Sequence, residues 1–172
     1  MSFGLSVFAR RLIVDAAGAR ASLKSPALVW KAPPQNVTDS DHWMMTNTGG
    51  EMTRPRAGEP LILLVEKVPG RMNPFAMGVT IGRVESNDVV VDDGSVSRFH
   101  AWLQLDERTQ TWAITDAESK NGTWVDGQKL AGKQRMALKD GAEVKVGDVV
   151  LRFLLPEALI AFVERASNGD LS

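Results

Sequence analysis

Residues 101–127, AWLQLDERTQTWAITDAESKNGTWVDG, decide the fold of this chain. In the first part of the stretch Ala101, Leu103 and Leu105 share one face, as a strand with one buried side requires. The same alternation returns once more before the Asn-Gly and Asp-Gly pairs that close the stretch. Those pairs are strong hairpin signals, because their residues accept positive φ angles. The stretch therefore predicts short strands joined by tight turns.

The pattern continues on both sides of this stretch. Residues 61–65 form a short continuous apolar run, which is typical of a strand buried on both faces. Further short apolar runs, separated by turn dipeptides, are found at residues 78–82, 88–91, 144–146 and 149–153. Strands at this spacing predict an all-β sandwich or barrel.

Two segments outside the β-rich region have a different character. Leu5, Phe8 and Leu12 fall near helical spacing, which predicts a short helix within residues 4–16. A cluster of apolar side chains after Pro156 predicts a short C-terminal helix that docks on the sandwich. We therefore expect three parts: an N-terminal extension and linker at residues 1–58, a β domain at 59–156, and a helix and tail at 157–172.

Composition excludes several classes of function. The chain has 172 residues, a formal net charge of −1 and no cysteine. The charge argues against a nucleic-acid-binding or membrane-surface protein, and the absence of cysteine removes disulfides, thiolate catalysis and cysteine-ligated zinc. No signal peptide and no apolar run long enough to span a bilayer are recognisable. These properties predict a cytoplasmic protein that binds neither nucleic acid nor membrane.

Polar and charged side chains gather where the apolar runs end. Arg83 follows one run, Ser97 and Arg98 precede another, and Lys120 and Asn121 lie at the Asn-Gly turn. A phosphate monoester near pH 7 carries about −1.5 to −2 charges and several strong acceptors. An arginine can donate two parallel N–H bonds to it, and each charge-assisted bond contributes roughly 1.5–3 kcal/mol. These residue types therefore fit a phosphate-binding site at one tip of the sandwich.

These residues belong to a longer ordered pattern. In order and spacing it resembles the forkhead-associated (FHA) domains, over about residues 61 to 155. The segments that carry the resemblance are Gly82-Arg83, 86–92, 96–101, 112–116, Ser119-Lys120-Asn121-Gly122-Thr123 and 138–141. The resemblance implies an all-β, eleven-stranded sandwich that recognises phosphothreonine peptides through loops at one end. It implies no cofactor and no metal ion.

The resemblance also implies which residues contact the ligand. Arg83 and Ser97 are expected to touch the phosphate, and Asn121 is expected to bind the main chain of the ligand. Arg98 and Lys120 lie at positions that vary across the family, and we expect them to contribute positive charge to the site.

Three further residues are expected to support the binding loops: Gly82, His100 and Gly122. His100 invites a catalytic interpretation, but nothing in the sequence pattern supplies a nucleophile for it to activate. The family pattern instead has this histidine hold the loops through hydrogen bonds to the backbone. We therefore predict no catalytic residue and no enzyme activity.

The sequence thus predicts a non-catalytic phosphothreonine-peptide-binding module that serves Ser/Thr kinase signalling as an adaptor or regulator. Its expected partner is a phosphothreonine-containing protein, such as a Ser/Thr kinase or a substrate of one. The alternative is an FHA fold used as a phosphate-independent docking or assembly domain. The family usually reads the residue three places after the phosphothreonine, and the sequence leaves the preferred residue there open.

The linker contains threonines that suggest a regulatory hypothesis. Thr38, Thr46, Thr48 and Thr53 lie within easy reach of the β domain, and a tether raises effective concentration. A phosphorylated linker threonine would then bind the site of its own chain. The alternative is a plain linker.

Overall fold

The computed structural model describes residues 2–33, 58–70 and 75–168. Within those ranges the chain forms twelve strands and three helices. In chain order they are β1 Ser2–Gly4, α1 Leu5–Val14, α2 Ala16–Ser22, β2 Ala27–Trp30, β3 Leu61–Leu64, β4 Val79–Gly82, β5 Val89–Val90, β6 Ala101–Asp106, β7 Thr111–Asp116, β8 Thr123–Val125, β9 Gln128–Lys129, β10 Arg135–Leu138, β11 Glu143–Val146, β12 Val149–Leu154 and α3 Pro156–Ser167.

The strands form two sheets that enclose one core. Sheet A has seven strands in the order β1-β3-β2-β12-β11-β8-β9, and sheet B has five in the order β10-β7-β6-β4-β5. Neighbouring strands are antiparallel, apart from the parallel pair β4 and β5. The predicted all-β sandwich is confirmed, with twelve strands among the described residues where the resemblance implies eleven.

The strand β2 comes from the segment that the sequence analysis assigns to the N-terminal extension. Ala27–Trp30 is buried along its whole length, and it lies in sheet A between β3 and β12. The ordered segments that predict the sandwich begin only at residue 61. The local sequence pattern therefore gives no sign that β2 belongs to the same sheet. A four-residue apolar run is too short to distinguish a strand from a buried piece of helix. The sandwich therefore includes residues from well before position 59.

Both faces of β2 and β3 are covered, which explains their uninterrupted apolar sequences. Leu28 and Leu63 point into the core between the two sheets. Val29 and Ile62 point outward into a second apolar cluster. Period-two alternation of side chains sends neighbouring residues to opposite faces, so an unbroken apolar run requires a covering layer on each side.

Two helices provide the outer layer. Leu5, Phe8 and Leu12 of α1 are buried in the second cluster, and α1 lies within the segment for which spacing predicts a helix. The predicted C-terminal helix is present as α3, which begins with proline at its first turn and buries Leu159, Ile160, Phe162 and Val163. The carboxylate of Glu59 accepts the backbone N–H of Ser6 at 3.1 Å, which places negative charge at the start of α1.

None of the helices within the described ranges is both long and apolar enough to cross a bilayer. The linker threonines of the regulatory hypothesis lie outside the described residues.

Candidate functional site

Arg83 and Ser97 lie side by side at one end of the sandwich. The backbone N–H of Arg83 donates to the carbonyl oxygen of Ser97 at 3.0 Å. Arg83 directly follows β4, and Ser97 precedes β6, which is the antiparallel neighbour of β4. The end of one strand and the start of its antiparallel neighbour meet at the same edge of a sheet. Arg83, whose side chain is exposed, and Ser97, whose side chain is half-buried, therefore lie at the same end of the sandwich.

The Ser97 hydroxyl connects this pair to the Asn-Gly turn. The backbone N–H of Lys120 donates to Ser97 Oγ at 3.0 Å. A hydroxyl has one hydrogen to donate in addition to its acceptor lone pairs. Within the described ranges no acceptor takes that hydrogen, so the hydroxyl is positioned by Lys120 and still has its own donor for a ligand.

Asn121 is held in place from the other side of the site. Its Nδ2 donates to the carbonyl oxygen of Ser95 at 2.7 Å, and the side chain is otherwise exposed. This bond uses one of the two amide hydrogens and leaves Oδ1 as an acceptor. An acceptor and a donor on one fixed amide match the alternating groups of a peptide main chain.

His100 lies beneath these loops and is completely buried. Its Nδ1 accepts the backbone N–H of Ser97 at 3.0 Å, and its Nε2 lies 2.9 Å from the carbonyl oxygen of Gly122. The ring is therefore neutral with its proton on Nε2. Burial lowers the pKa of His100, although the Gly122 carbonyl and the charge of Asp116 oppose the shift. Both ring nitrogens are used by the backbone, which leaves neither to act as a catalytic base.

A buried carboxylate organises the loop that carries Lys120 and Asn121. Asp116 accepts the Ser119 backbone N–H at 3.0 Å and the hydroxyls of Ser119 and Thr123 at 2.6 Å each. Burial disfavours the ionised carboxyl, but the hydrogen bonds from Ser119 and Thr123 outweigh burial and lower the pKa of Asp116. Ser119 Oγ in turn accepts the N–H of Gly122 at 3.0 Å. The loop is therefore fixed by its own side chains before any ligand binds.

Two glycines are required by the geometry of the site. Gly122 has a φ of 92°, in the left-handed region, and a Cβ there would meet Lys129 Cε at 2.8 Å. At Gly82 a Cβ would collide with the carbonyl oxygen of Arg98, which Asn87 Nδ2 also approaches at 2.6 Å. A larger residue would therefore be strained by the backbone conformation at position 122, and at position 82 it would displace the backbone that carries Arg98.

Arg98 and Lys120 are exposed at the same end of the sandwich. Within residues 2–33, 58–70 and 75–168, neither forms an ion pair, and the same is true of Arg83. The nearby Asp93 is engaged locally, because its Oδ1 accepts the backbone N–H and the hydroxyl of Ser95. The three cations therefore present positive charge that no described carboxylate pairs with, at the end of the sandwich that carries Ser97.

Sequence reasoning assigned no role to three residues that shape these loops: Asn87, Ser95 and Asp116. Asp116 and Ser119 are three residues apart, a spacing at which an aspartate commonly accepts bonds within a turn, so a local signal existed for this pair. The hydrogen bond from Asn121 to Ser95 joins two loops that are distant in sequence, so no local sequence pattern indicates it. In the described ranges no group of three or more His, Cys, Asp or Glu side chains could hold a metal ion.

Stability is expected to fall as the pH drops below about 6.5, the ordinary pKa of histidine. Because the folded protein has a lowered pKa at His100, the unfolded chain takes up this proton first, and proton uptake therefore favours unfolding. A second loss is expected below the ordinary range of carboxyl groups, because the pKa values of Asp88 and Asp116 are also lowered. Denaturant unfolding as a function of pH measures both. A free energy of unfolding that does not change between neutral pH and pH 5 would contradict the buried neutral histidine.

Comparison with known proteins relates the segment that carries these residues to a family. The FHA domain family model matches residues 79–147. The transcriptional regulatory protein EmbR of Mycobacterium tuberculosis is 35% identical over 80 residues, which cover 46% of this chain and 20% of EmbR. The oxoglutarate dehydrogenase inhibitor of Corynebacterium efficiens is 30% identical over 96 residues, which cover 54% of this chain and 64% of the inhibitor. The chain thus spans a minor part of EmbR and a little under two thirds of the inhibitor.

Solved structures give similar matches. Mycobacterium tuberculosis EmbR in complex with a low-affinity phosphopeptide has a TM-score of 0.41 and 29% identity, over 46% of this chain and 20% of that one. The N-terminal FHA domain of S. cerevisiae Rad53p in complex with a phosphothreonine peptide has a TM-score of 0.41 and 27% identity, over 49% of this chain and 70% of that one. On the strength of the family match, this chain contains an FHA domain, and the matched segment runs from residue 79 to residue 147.

Proposed function

We propose that this chain is a non-catalytic phosphothreonine-peptide-binding module that acts as an adaptor or regulator in Ser/Thr kinase signalling. The observation that carries the proposal is the placement of the Ser97 hydroxyl. The backbone carbonyl oxygen of Ser97 accepts the N–H of Arg83, the Ser97 hydroxyl is fixed by the N–H of Lys120, and the hydrogen of that hydroxyl is available to a ligand. In this proposal Arg83 and Ser97 bind the phosphate, and Asn121 binds the ligand main chain.

The charges at this end of the sandwich support a dianionic ligand. Arg83, Arg98 and Lys120 are exposed cations without carboxylate partners in the described part of the chain. A phosphate brought among them forms charge-assisted hydrogen bonds, which are roughly twice as strong as neutral ones. The loops need no large rearrangement, because His100 and Asp116 already fix them. Gly82, His100 and Gly122 have a supporting role in this proposal.

The ligand is proposed to be a segment of another protein that carries phosphothreonine, such as a Ser/Thr kinase or one of its substrates. A methyl group distinguishes phosphothreonine from phosphoserine, and burial of one methyl contributes about 0.8 kcal/mol, or roughly fourfold in affinity. A larger preference would require a pocket shaped around that methyl.

The decisive experiment is an oriented peptide library that is phosphorylated on threonine, with phosphoserine and unphosphorylated libraries alongside. We expect the chain to select phosphothreonine peptides, to bind phosphoserine versions at least about fourfold more weakly, and to ignore unphosphorylated ones. Equal selection of phosphorylated and unphosphorylated peptides would favour the alternative, a phosphate-independent docking domain, and would overturn the proposal.

A further inference from the structure

A basic surface lies beside the proposed phosphate site and is not part of it. Lys129 Nζ lies 5.2 Å from the ring centroid of Trp124, and Lys145 Nζ lies 4.8 Å from it. Trp124 is paired with Lys129 on β9 and with Lys145 on β11. The three side chains therefore form one row across three adjacent strands. We call this row of Trp124, Lys129 and Lys145 the basic shelf.

The basic shelf lies on the outer face of sheet A. Val125, Val144 and Val146, the strand neighbours of Trp124 and Lys145, are in the core between the sheets. Since adjacent residues of a strand point to opposite faces, Trp124 and Lys145 point away from that core. The apolar cluster that contains α1 and α3 covers β2 and β3, at the other side of the same face. The shelf is thus not part of the helix-covered surface.

The basic shelf is continuous with the loop that carries Asn121. A Cβ placed on Gly122 would lie 2.8 Å from Lys129 Cε, 3.5 Å from Lys129 Nζ and 3.3 Å from the Trp124 ring. Trp124 follows Gly122 by two residues, a distance of roughly 7 Å along a strand. A peptide whose main chain is held by Asn121 could therefore reach the shelf within a few residues of its phosphothreonine.

The two ammonium groups of the shelf have no carboxylate partners among the described residues, whereas Lys67 pairs with Asp88 at 2.9 Å and Lys133 with Glu118 at 3.4 Å. Contact with the indole of Trp124 already restrains both lysine side chains. They therefore lose less conformational entropy when an anion binds, which favours binding.

The acidic residues closest in register, Asp126 and Glu143, form no ion pair with the shelf lysines in the described part of the chain. Asp126 Oδ1 accepts the backbone N–H of Glu143 at 2.8 Å, and Glu143 is paired in register with Arg152. The ammonium groups of Lys129 and Lys145 both lie over the Trp124 ring, so two positive charges are close together on the shelf. This charge complements a carboxylate.

We propose that the basic shelf binds an acidic side chain of the same phosphopeptide, so that the preferred ligand carries Asp or Glu close to its phosphothreonine. The proposal rests on the phosphopeptide-binding function and adds a second recognition element to it. The occupant is a carboxylate, because the shelf offers two positive charges and no carboxylate of its own in contact. In this arrangement Arg83 and Ser97 bind the phosphate, and Lys129 and Lys145 bind an acidic residue that flanks the phosphothreonine.

The test uses one phosphothreonine peptide in an alanine background, in which a single aspartate, or a single asparagine in its place, is moved through every flanking position. Affinities are measured for the unaltered chain and for the variants Lys129→Gln, Lys145→Gln and Lys139→Gln. Lys139 is the control, because it is an exposed lysine like Lys129 but lies in the turn before β11, at the other end of that strand from the site. Each variant's melting temperature verifies that it is folded.

We expect the unaltered chain to prefer aspartate to asparagine at one or two adjacent positions. Each shelf substitution should reduce that preference by about two- to fivefold, the range for exposed charge pairs, and added salt should do the same. Lys139→Gln should retain the full preference. If phosphopeptides bind with no preference for aspartate at any position, or if both shelf variants retain the preference, the shelf proposal is overturned while the phosphopeptide function stands. If no phosphopeptide binds, both proposals are overturned.

Discussion

Replacing Arg83 with alanine is expected to reduce affinity for a phosphothreonine peptide by at least about 100-fold without changing the melting temperature. The side chain is exposed, and the link to the neighbouring loop is made by the backbone N–H, which donates to the Ser97 carbonyl oxygen. The substitution therefore removes two charge-assisted hydrogen bonds to phosphate, each contributing roughly 1.5–3 kcal/mol, and leaves the core intact. Titration calorimetry with one phosphopeptide, together with thermal unfolding, measures both quantities.

Two further variants make this result specific to the site. Arg108→Ala removes an exposed arginine from the turn between β6 and β7, at the opposite end of the sandwich, and should bind like the unaltered chain. Arg83→Lys keeps the charge but loses the two-pronged donor geometry, so its affinity should fall between those of the unaltered chain and Arg83→Ala. If Arg83→Ala binds the phosphopeptide as tightly as the unaltered chain, Arg83 does not contact the phosphate and the site assignment is wrong.

Replacing His100 with alanine is expected to lower the free energy of unfolding by about 3–5 kcal/mol, a large fraction of the stability of an ordinary domain. The variant loses the acceptor of the Ser97 N–H and the donor to the Gly122 carbonyl, and it leaves a cavity where a completely buried ring stood. Both bonds connect loops that hold the proposed ligand groups, so phosphopeptide affinity should fall as well. Denaturant unfolding and calorimetry give the two values.

The pH dependence provides an internal control for this variant. Without the buried imidazole, the decrease in stability between about pH 6.5 and pH 5 should disappear, whereas the decrease at lower pH that depends on Asp88 and Asp116 should remain. An unchanged melting temperature, or an unchanged pH profile, would show that His100 does not support the loops in the way the hydrogen bonds indicate.

Local sequence patterns predict much of the fold. They also predict that Arg83 and Ser97 lie close together. Alternation, turn dipeptides and the ordered segments from residue 61 onward predicted the two-sheet sandwich. They also predicted that Arg83 and Ser97 would emerge at one end, since each lies beside a strand terminus. The apolar run at Leu61–Leu64 indicated burial on both faces, and the helices that provide the second covering layer are present.

The features that sequence reasoning missed depend on long-range pairing. Nothing in the short run Ala27–Trp30 indicates a place between β3 and β12, because its partners are set by tertiary packing rather than by its own pattern. The bond from Asn121 to Ser95 joins two loops that are distant in sequence. The basic shelf likewise arises only when β9, β8 and β11 align, since Trp124, Lys129 and Lys145 are unremarkable surface types when taken separately.

The position of β2 also has a consequence for how the chain acquires its structure. Val29 pairs with Ile62 on one side and with Arg152 on the other, so the middle of sheet A joins early and late parts of the polypeptide. The entropy cost of closing the long loop between β2 and β12 must be met before strand pairing lowers the free energy. Topologies of this kind fold slowly. During synthesis the β2 segment emerges long before β12, and it must avoid alternative pairing until that strand arrives.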